Sequence, residues 1–136
     1  MIIGVYDNKT IREIQREFME YYPYLKLEFH EHPHEMYEPS PEKEQYPVNR
    51  RIGELRRQHD SGILEIHGWH KTGDVEMEFQ KKYGLNAQVY RLEGDAWIQT
   101  TGSDGLNLEE QNEIGRKATQ DILQGNNRWI EQEKLL

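Results

Sequence analysis

Two stretches of the chain share one order of residue types: NKTIREIQREFMEYYPYLKLEF at residues 8–29 and HKTGDVEMEFQKKYGLNAQVYR at residues 70–91. Each has a Lys-Thr pair, then apolar residues at helical spacing, a helix-ending proline or glycine, and an alternating run typical of a strand. A β-rich run precedes each stretch, at residues 2–6 and 62–67. The sequence therefore predicts two successive strand–helix–strand units. Their likeness fits either an internal duplication or the ordinary pattern of any two such units.

The apolar spacing predicts which side of each unit faces the core. The first helix is expected to begin after Thr10 and to stop at Pro23, because proline breaks a helix. The second is expected to have Thr72 as its N-cap and to end at Gly84, where a positive φ is favoured. The predicted core-facing residues are Ile11, Ile14, Phe18, Leu25, Leu27, Phe29, Val75, Phe79 and Tyr83.

The second unit continues into a hairpin and a last helix. Glu93-Gly94-Asp95 is a turn signal between two β-rich runs. Asn107 and Glu110 resemble a capping box, which predicts a helix from there to near Gly125. Both faces of the hairpin carry apolar residues, so we expect the last helix or a partner subunit to cover one of them.

The order of elements predicts an α+β fold, a two-layer sandwich with a ferredoxin-like βαββαβ core and an extra C-terminal strand and helix. Residues 1–125 form the predicted single domain, and residues 126–136 form a C-terminal tail.

A long connection, residues 30–61, separates the two units. Its first part holds prolines at positions 33, 39, 41 and 47 and no periodic pattern, which predicts an exposed loop. Its second part, NRRIGELRRQHDSG, predicts a short helix with Ile52 and Leu55 inward. The four arginines of this part form either a basic patch or a solvated helix face balanced by glutamates.

The connection begins with HEHPHE, residues 30–35, where His30, His32 and His34 alternate. In an extended chain they share a face at roughly 6.5–7 Å intervals, as in an H-x-H metal site, and imidazole suits zinc or nickel. If the second and third strands are neighbours, His59 and Asp60 approach the same place. These five residues are the candidate metal ligands. The competing interpretation is the polar end of a strand.

Composition removes several classes of function. The net charge of −8 disfavours nucleic acid and anionic membranes as partners, and no run reaches the ~18 apolar residues of a membrane span. The chain has no cysteine, and it lacks phosphate-loop and nucleophile-elbow motifs. Without a signal-peptide pattern at its start, the chain is expected to be cytoplasmic.

Two functional hypotheses remain. The first is a small non-catalytic interaction or regulatory domain that contacts a second copy or another protein through the last hairpin and the tail. The alternative is a transition-metal-binding protein that uses the histidines at the end of the second strand. No residue is assigned a catalytic role, so the sequence favours a non-enzymatic function without a cofactor.

Overall fold

The computed structural model describes residues 1–33 and 38–135, with only the backbone described at position 123 and at positions 125–135. The described residues form an α+β fold with five strands and four α-helices. In chain order these are β1 (Ile2–Val5), α1 (Ile11–Tyr21), β2 (Leu25–His30), α2 (Ile52–Leu55), β3 (Gly62–Glu65), α3 (Thr72–Tyr83), β4 (Asn86–Glu93), β5 (Ala96–Gln99) and α4 (Leu108–Leu135).

Three helix ends follow the chemistry that the sequence predicts. The Thr10 hydroxyl accepts a hydrogen bond from the Glu13 amide at 3.2 Å, which caps α1. Gly84 ends α3 at a φ of 65°. The Asn107 side chain accepts from the Glu110 amide at 2.8 Å, and the Glu110 carboxylate accepts from the Asn107 amide at 3.2 Å. The predicted capping box is therefore confirmed.

Two other helix ends differ from the prediction. The N-cap of α3 is Lys71, and Thr72 is the first helical residue. The Thr72 hydroxyl instead donates to the Leu106 carbonyl at 2.8 Å, which ties the start of α3 to the loop before α4. The backbone of α4 also continues past Gly125 to Leu135.

The strands of the described residues form two antiparallel sheets. One contains β1 and β3, and the other has the order β2-β4-β5. The single sheet of a ferredoxin-like fold is therefore not confirmed. The condition under which His59 and Asp60 would approach the end of β2, that β2 lies beside β3, is not met, because β2 pairs with β4 along its whole length.

Strands that hold equivalent places in the two units pair with each other. Ile3 faces Leu64 across one sheet, and Leu27 faces Val89 across the other. On either side of Leu27, the chain pairs Leu25 with Arg91 and Phe29 with Ala87. This register relates the two units by an approximate two-fold axis, as expected of a unit that pairs with its own copy. The pairing favours internal duplication over chance similarity.

Both sheets and the first three helices bury one shared core. Leu25, Leu27 and Phe29 are at most 1% exposed, as their alternation predicts. Phe29 meets Phe79 of α3 edge-to-face, with ring centroids 5.6 Å apart. Full burial of a side chain of this kind stabilises a fold by about 1.5–3 kcal/mol, so these residues hold the two units together.

The last helix covers the inner side of the hairpin, as one of the two sequence alternatives requires. The Arg91 guanidinium donates to the Gln111 side chain at 2.7 Å, and the Thr119 hydroxyl donates to the Leu92 carbonyl at 3.3 Å. No helix within the described residues is long and apolar enough to cross a membrane.

The described part of the long connection packs against the outer face of the larger sheet. The Tyr46 amide donates to the Phe29 carbonyl at 2.8 Å, so the segment extends the edge of β2. Ser40 and Gln99 exchange two hydrogen bonds, at 2.9 and 2.8 Å. The expectation of an exposed loop is therefore wrong at Ser40, which is 3% exposed. The segment packs through hydrogen bonds to the Gln99 side-chain amide and not through periodic apolar residues, so its sequence contains no pattern that predicts this packing.

Candidate functional site

The predicted metal ligands of HEHPHE do not form a described cluster. His30 is buried as the last residue of β2 and forms a bridge with Gln45. His32 is largely exposed, and its Nδ1 lies 3.3 Å from Glu44 Oε1. His34 lies outside the described residues.

The other two candidate ligands lie beside the smaller sheet. The Nδ1 of His59 is 2.8 Å from Asp7 Oδ2, and Asp60 is exposed in the connection before β3. Within the described part of the chain, no group of three or more His, Asp or Glu side chains is placed to hold a metal ion. Because His34 lies outside that part, metal binding by this set stays a prediction.

Asp7 marks the place where the long connection is fastened to the core. The buried Arg56 guanidinium donates to Asp7 Oδ1 at 3.2 and 2.8 Å, and to the Tyr83 carbonyl at 3.1 Å. The hydrogen bond from Arg56 is the main reason that the pKa of Asp7 is lowered. Arg50 pairs with Glu54 at 2.5 Å, and Arg51 donates to a backbone carbonyl. Arg50, Arg51 and Arg56 therefore each make a separate contact within the protein.

A second acidic site lies between α3 and the loop before α4. Glu76 is 5% exposed and Asp104 is 1% exposed. Burial, followed by the neighbouring Asp104, raises the pKa of Glu76 well above its usual value. Glu76 Oε2 accepts from the Val89 amide at 2.8 Å, so the carboxyl group satisfies a backbone donor at the end of the β4–β5 ladder. The adjacent cavity of about 50 Å³ is too small for more than a few waters.

A cavity larger than the one beside Glu76 lies on the outer face of the β2-β4-β5 sheet, where the described part of the connection leaves the sheet uncovered. This groove has a volume of about 250 Å³. Its lining combines a cation, an acid, two carboxamides and two aromatic rings: Lys26, Glu42, Gln45, Tyr90, Trp97 and Gln99. Such a mixture of aromatic surface and convergent polar groups is typical of ligand sites.

Lys26 is the lining residue that contacts both aromatic rings of the groove. Its ammonium lies 4.9 Å from the Trp97 ring centroid and 5.5 Å from that of Tyr90. It also pairs with Glu28 Oε1 at 3.1 Å, and Glu28 is 3% exposed. An ammonium above aromatic faces is held by the ring quadrupoles, so these contacts fix the Lys26 side chain.

Hydrogen bonds also hold the side chains of Gln99, Tyr90 and Gln45 in place. Gln99 is held by its two bonds to the Ser40 backbone, and the Tyr90 hydroxyl donates to Gln45 Oε1 at 3.4 Å. Burial, together with Glu28 and Glu42, raises the pKa of Tyr90 to about 12. Tyr90 is therefore a neutral donor at physiological pH. A lining fixed in this way loses little entropy when a ligand binds.

The sequence predicts which face of the sheet the strand residues of the groove occupy, but it does not predict that they lie beside the residues of the connection. The alternation predicts that Lys26, Tyr90 and Trp97 lie away from Leu27 and Val89. The segment that returns over this face has no periodicity, so Glu42 and Gln45 carry no signal that places them beside Trp97. No sequence pattern predicts that Glu76 and Asp104 lie close together either, because they belong to separate elements.

No protein-family model, curated protein or solved structure matches the chain. The fold and the groove define its class: a small α+β domain of two pseudo-symmetric units with an amide- and aromatic-lined groove.

Proposed function

We propose that the protein is a small non-catalytic binding domain whose ligand occupies the groove on the outer sheet face. The observation that carries this proposal is the pre-organised lining. Lys26, Tyr90 and Gln99 are each fixed by contacts with the protein, and the cavity of about 250 Å³ remains beside them. Pre-organisation of this kind favours recognition.

The protonation states of the groove support binding over catalysis. The pKa of Tyr90, about 12, leaves its hydroxyl protonated at neutral pH. The Lys26 ammonium is paired with Glu28 and lies above two rings, so its side chain is already engaged within the protein. Tyr90 is therefore not poised as a base or a nucleophile near pH 7.

The last hairpin supports a protein contact as the accompanying proposal. Trp97 and Gln99 belong to β5, the edge strand of the larger sheet among the described residues. Ile98 between them is 40% exposed on the opposite face. The contact of a partner protein or second copy would therefore lie on β5, on the face opposite the groove. Light scattering tests contact with a second copy: the unmodified protein should have a mass above the 16.3 kDa of one chain. Ile98→Lys is the variant that should weaken this contact.

Chemical-shift mapping tests the groove directly. ¹⁵N-labelled protein is titrated with mixtures of small polar molecules while the Trp97 indole signal and the Gln45 and Gln99 side-chain amides are followed. Binding in the groove shifts these signals together. Trp97→Ala should abolish the response, whereas Trp69→Ala, which removes an indole that is 67% exposed elsewhere, should preserve it. Ligands that shift only signals outside the groove would refute the proposal.

A further inference from the structure

The charges around the groove disfavour an anionic ligand. Lys26 is the cation of the lining, and its charge is already balanced by Glu28 at 3.1 Å. Glu42 adds a second carboxylate to the lining, and the whole chain carries a net charge of −8. A carboxylate or phosphate group that entered the groove would meet more negative charge than positive.

A cationic ligand is disfavoured for a different reason. The faces of Trp97 and Tyr90 are the places where an ammonium group would bind, and the Lys26 ammonium already lies over both. A second cation would have to displace Lys26 or accept repulsion from it at close range. The groove therefore holds its own cation and leaves no equivalent place for another.

The remaining hydrogen-bonding capacity is mixed in kind. Lys26 has three N–H groups, of which one is directed at Glu28. The Nε2 of Gln45 supplies donors, because its Oε1 takes up the Tyr90 hydroxyl. Glu42 supplies acceptor oxygens. A hydroxyl group can both donate and accept, so neighbouring hydroxyls on one ligand match this mixture without carrying charge.

We propose that the groove selects neutral, hydroxyl-rich ligands of the saccharide class. The Trp97 ring provides apolar surface beside the Lys26 ammonium for the C–H groups of a sugar ring, which the ammonium does not repel, and Lys26, Glu42 and Gln45 bind its hydroxyls. This inference rests on the proposed function, because it specifies the ligand of the same groove. The cavity of about 250 Å³ suits one or two sugar rings.

A set of closely related sugars, some neutral and some carrying one positive or one negative charge, tests the selection. The probes are neutral glucose and N-acetylglucosamine, cationic glucosamine and anionic glucuronate, with galactose, mannose and the neutral disaccharides of these sugars included. At least one neutral sugar should shift the Trp97 indole and Gln45 amide signals. Its charged counterparts should bind at least tenfold more weakly, which is a difference in binding free energy of about 1.4 kcal/mol or more.

Three results separate the ligand class from the proposed function. If only charged sugars or short peptides shift the groove signals, the saccharide inference is overturned and the groove remains a binding site. If no probe shifts them, the inference and the proposed function both fail. If a neutral sugar binds equally well to Trp97→Ala, the assigned place is wrong. Trp69→Ala is the matched indole control, and Gln45→Ala is a second groove variant that leaves the aromatic wall intact.

Removing the Lys26 ammonium tests whether it excludes cationic ligands. The double variant Lys26→Met with Glu28→Gln removes the internal ammonium together with the buried acid that it pairs with, while Glu42 remains. Tetramethylammonium should then shift the Trp97 signal in the double variant and leave the unmodified protein unchanged. Binding of tetramethylammonium over Trp97 in the unmodified protein would overturn the exclusion of cations.

Discussion

The carboxyl groups of Asp7 and Glu76 are the same chemical group in opposite surroundings. Asp7 lies after β1 and accepts from the Arg56 guanidinium, which lowers its pKa. Glu76 lies on α3 beside a second acid, and burial raises its pKa. Asp7 joins the long connection to the end of β1, and Glu76 joins α3 to β4. The first of these two joints requires a charged carboxylate, whereas the second is favoured by a protonated acid.

The difference gives the two joints opposite dependence on pH. At Asp7 the unfolded chain binds protons more tightly, so the contribution to stability is present above pH 3.8 and is lost as pH falls through the folded pKa. At Glu76 the folded chain binds the proton more tightly. Its contribution is therefore full below pH 4.5 and is lost as pH rises through the folded pKa.

Arg56→Met should give the largest effect, because it removes the cation that distinguishes the two joints. The Arg56 side chain is fully buried, and the substitution leaves the Tyr83 carbonyl without this donor. Asp7 is 40% exposed, so water replaces part of its loss. We expect the free energy of unfolding to fall by about 2 kcal/mol, measured by urea denaturation at pH 7. Arg57→Met is the exposed control and should change it by less than about 0.5 kcal/mol.

Glu76→Gln should change the pH profile more than the stability at any one pH. The amide is uncharged at every pH, so the decline in unfolding free energy above pH 4.5 should become shallower than in the unmodified protein. Denaturation midpoints between pH 4 and 9 measure the slope. Glu20→Gln, an exposed carboxylate on α1, should leave the slope unchanged. An equally steep decline in Glu76→Gln would mean that the acid is ionised without penalty.

Asp7→Asn should produce the opposite and smaller change. The variant cannot ionise at this position, so the gain in unfolding free energy as pH rises from the folded pKa towards 3.8 should be reduced. The Arg56 guanidinium keeps its bond to the Tyr83 carbonyl, which is why the loss should be smaller than in Arg56→Met. Acid denaturation followed by circular dichroism measures it. A double variant that carries both changes should lose less than the sum, because the two residues share one interaction.

The sequence predicts the local structure of this molecule well and the meeting of distant side chains poorly. Alternation at Leu25, Leu27 and Phe29 and the capping box at Asn107 concern neighbours along the chain, and both are confirmed. The sequence does not predict the pairing of β2 with β4, because two alternating strands of similar composition are compatible with several partners. Arg56 reaches Asp7 across 49 positions, and no local pattern signals that contact.

The metal hypothesis gives the smallest expected effect and extends the comparison to histidines. His59 is held by Asp7, whereas His32 lies near Glu44, two residues beyond the end of β2. Zinc titrated into chelator-stripped protein should bind at one equivalent below about micromolar if these residues converge. In that case the double variant His32→Ala with His34→Ala should abolish binding, and His59→Ala should weaken it.

Affinity that is unchanged in the double variant would remove HEHPHE from the metal site. Loss of affinity in the double variant but not in His59→Ala would confine the site to the end of β2, since the Asp7 carboxylate already holds His59 at 2.8 Å.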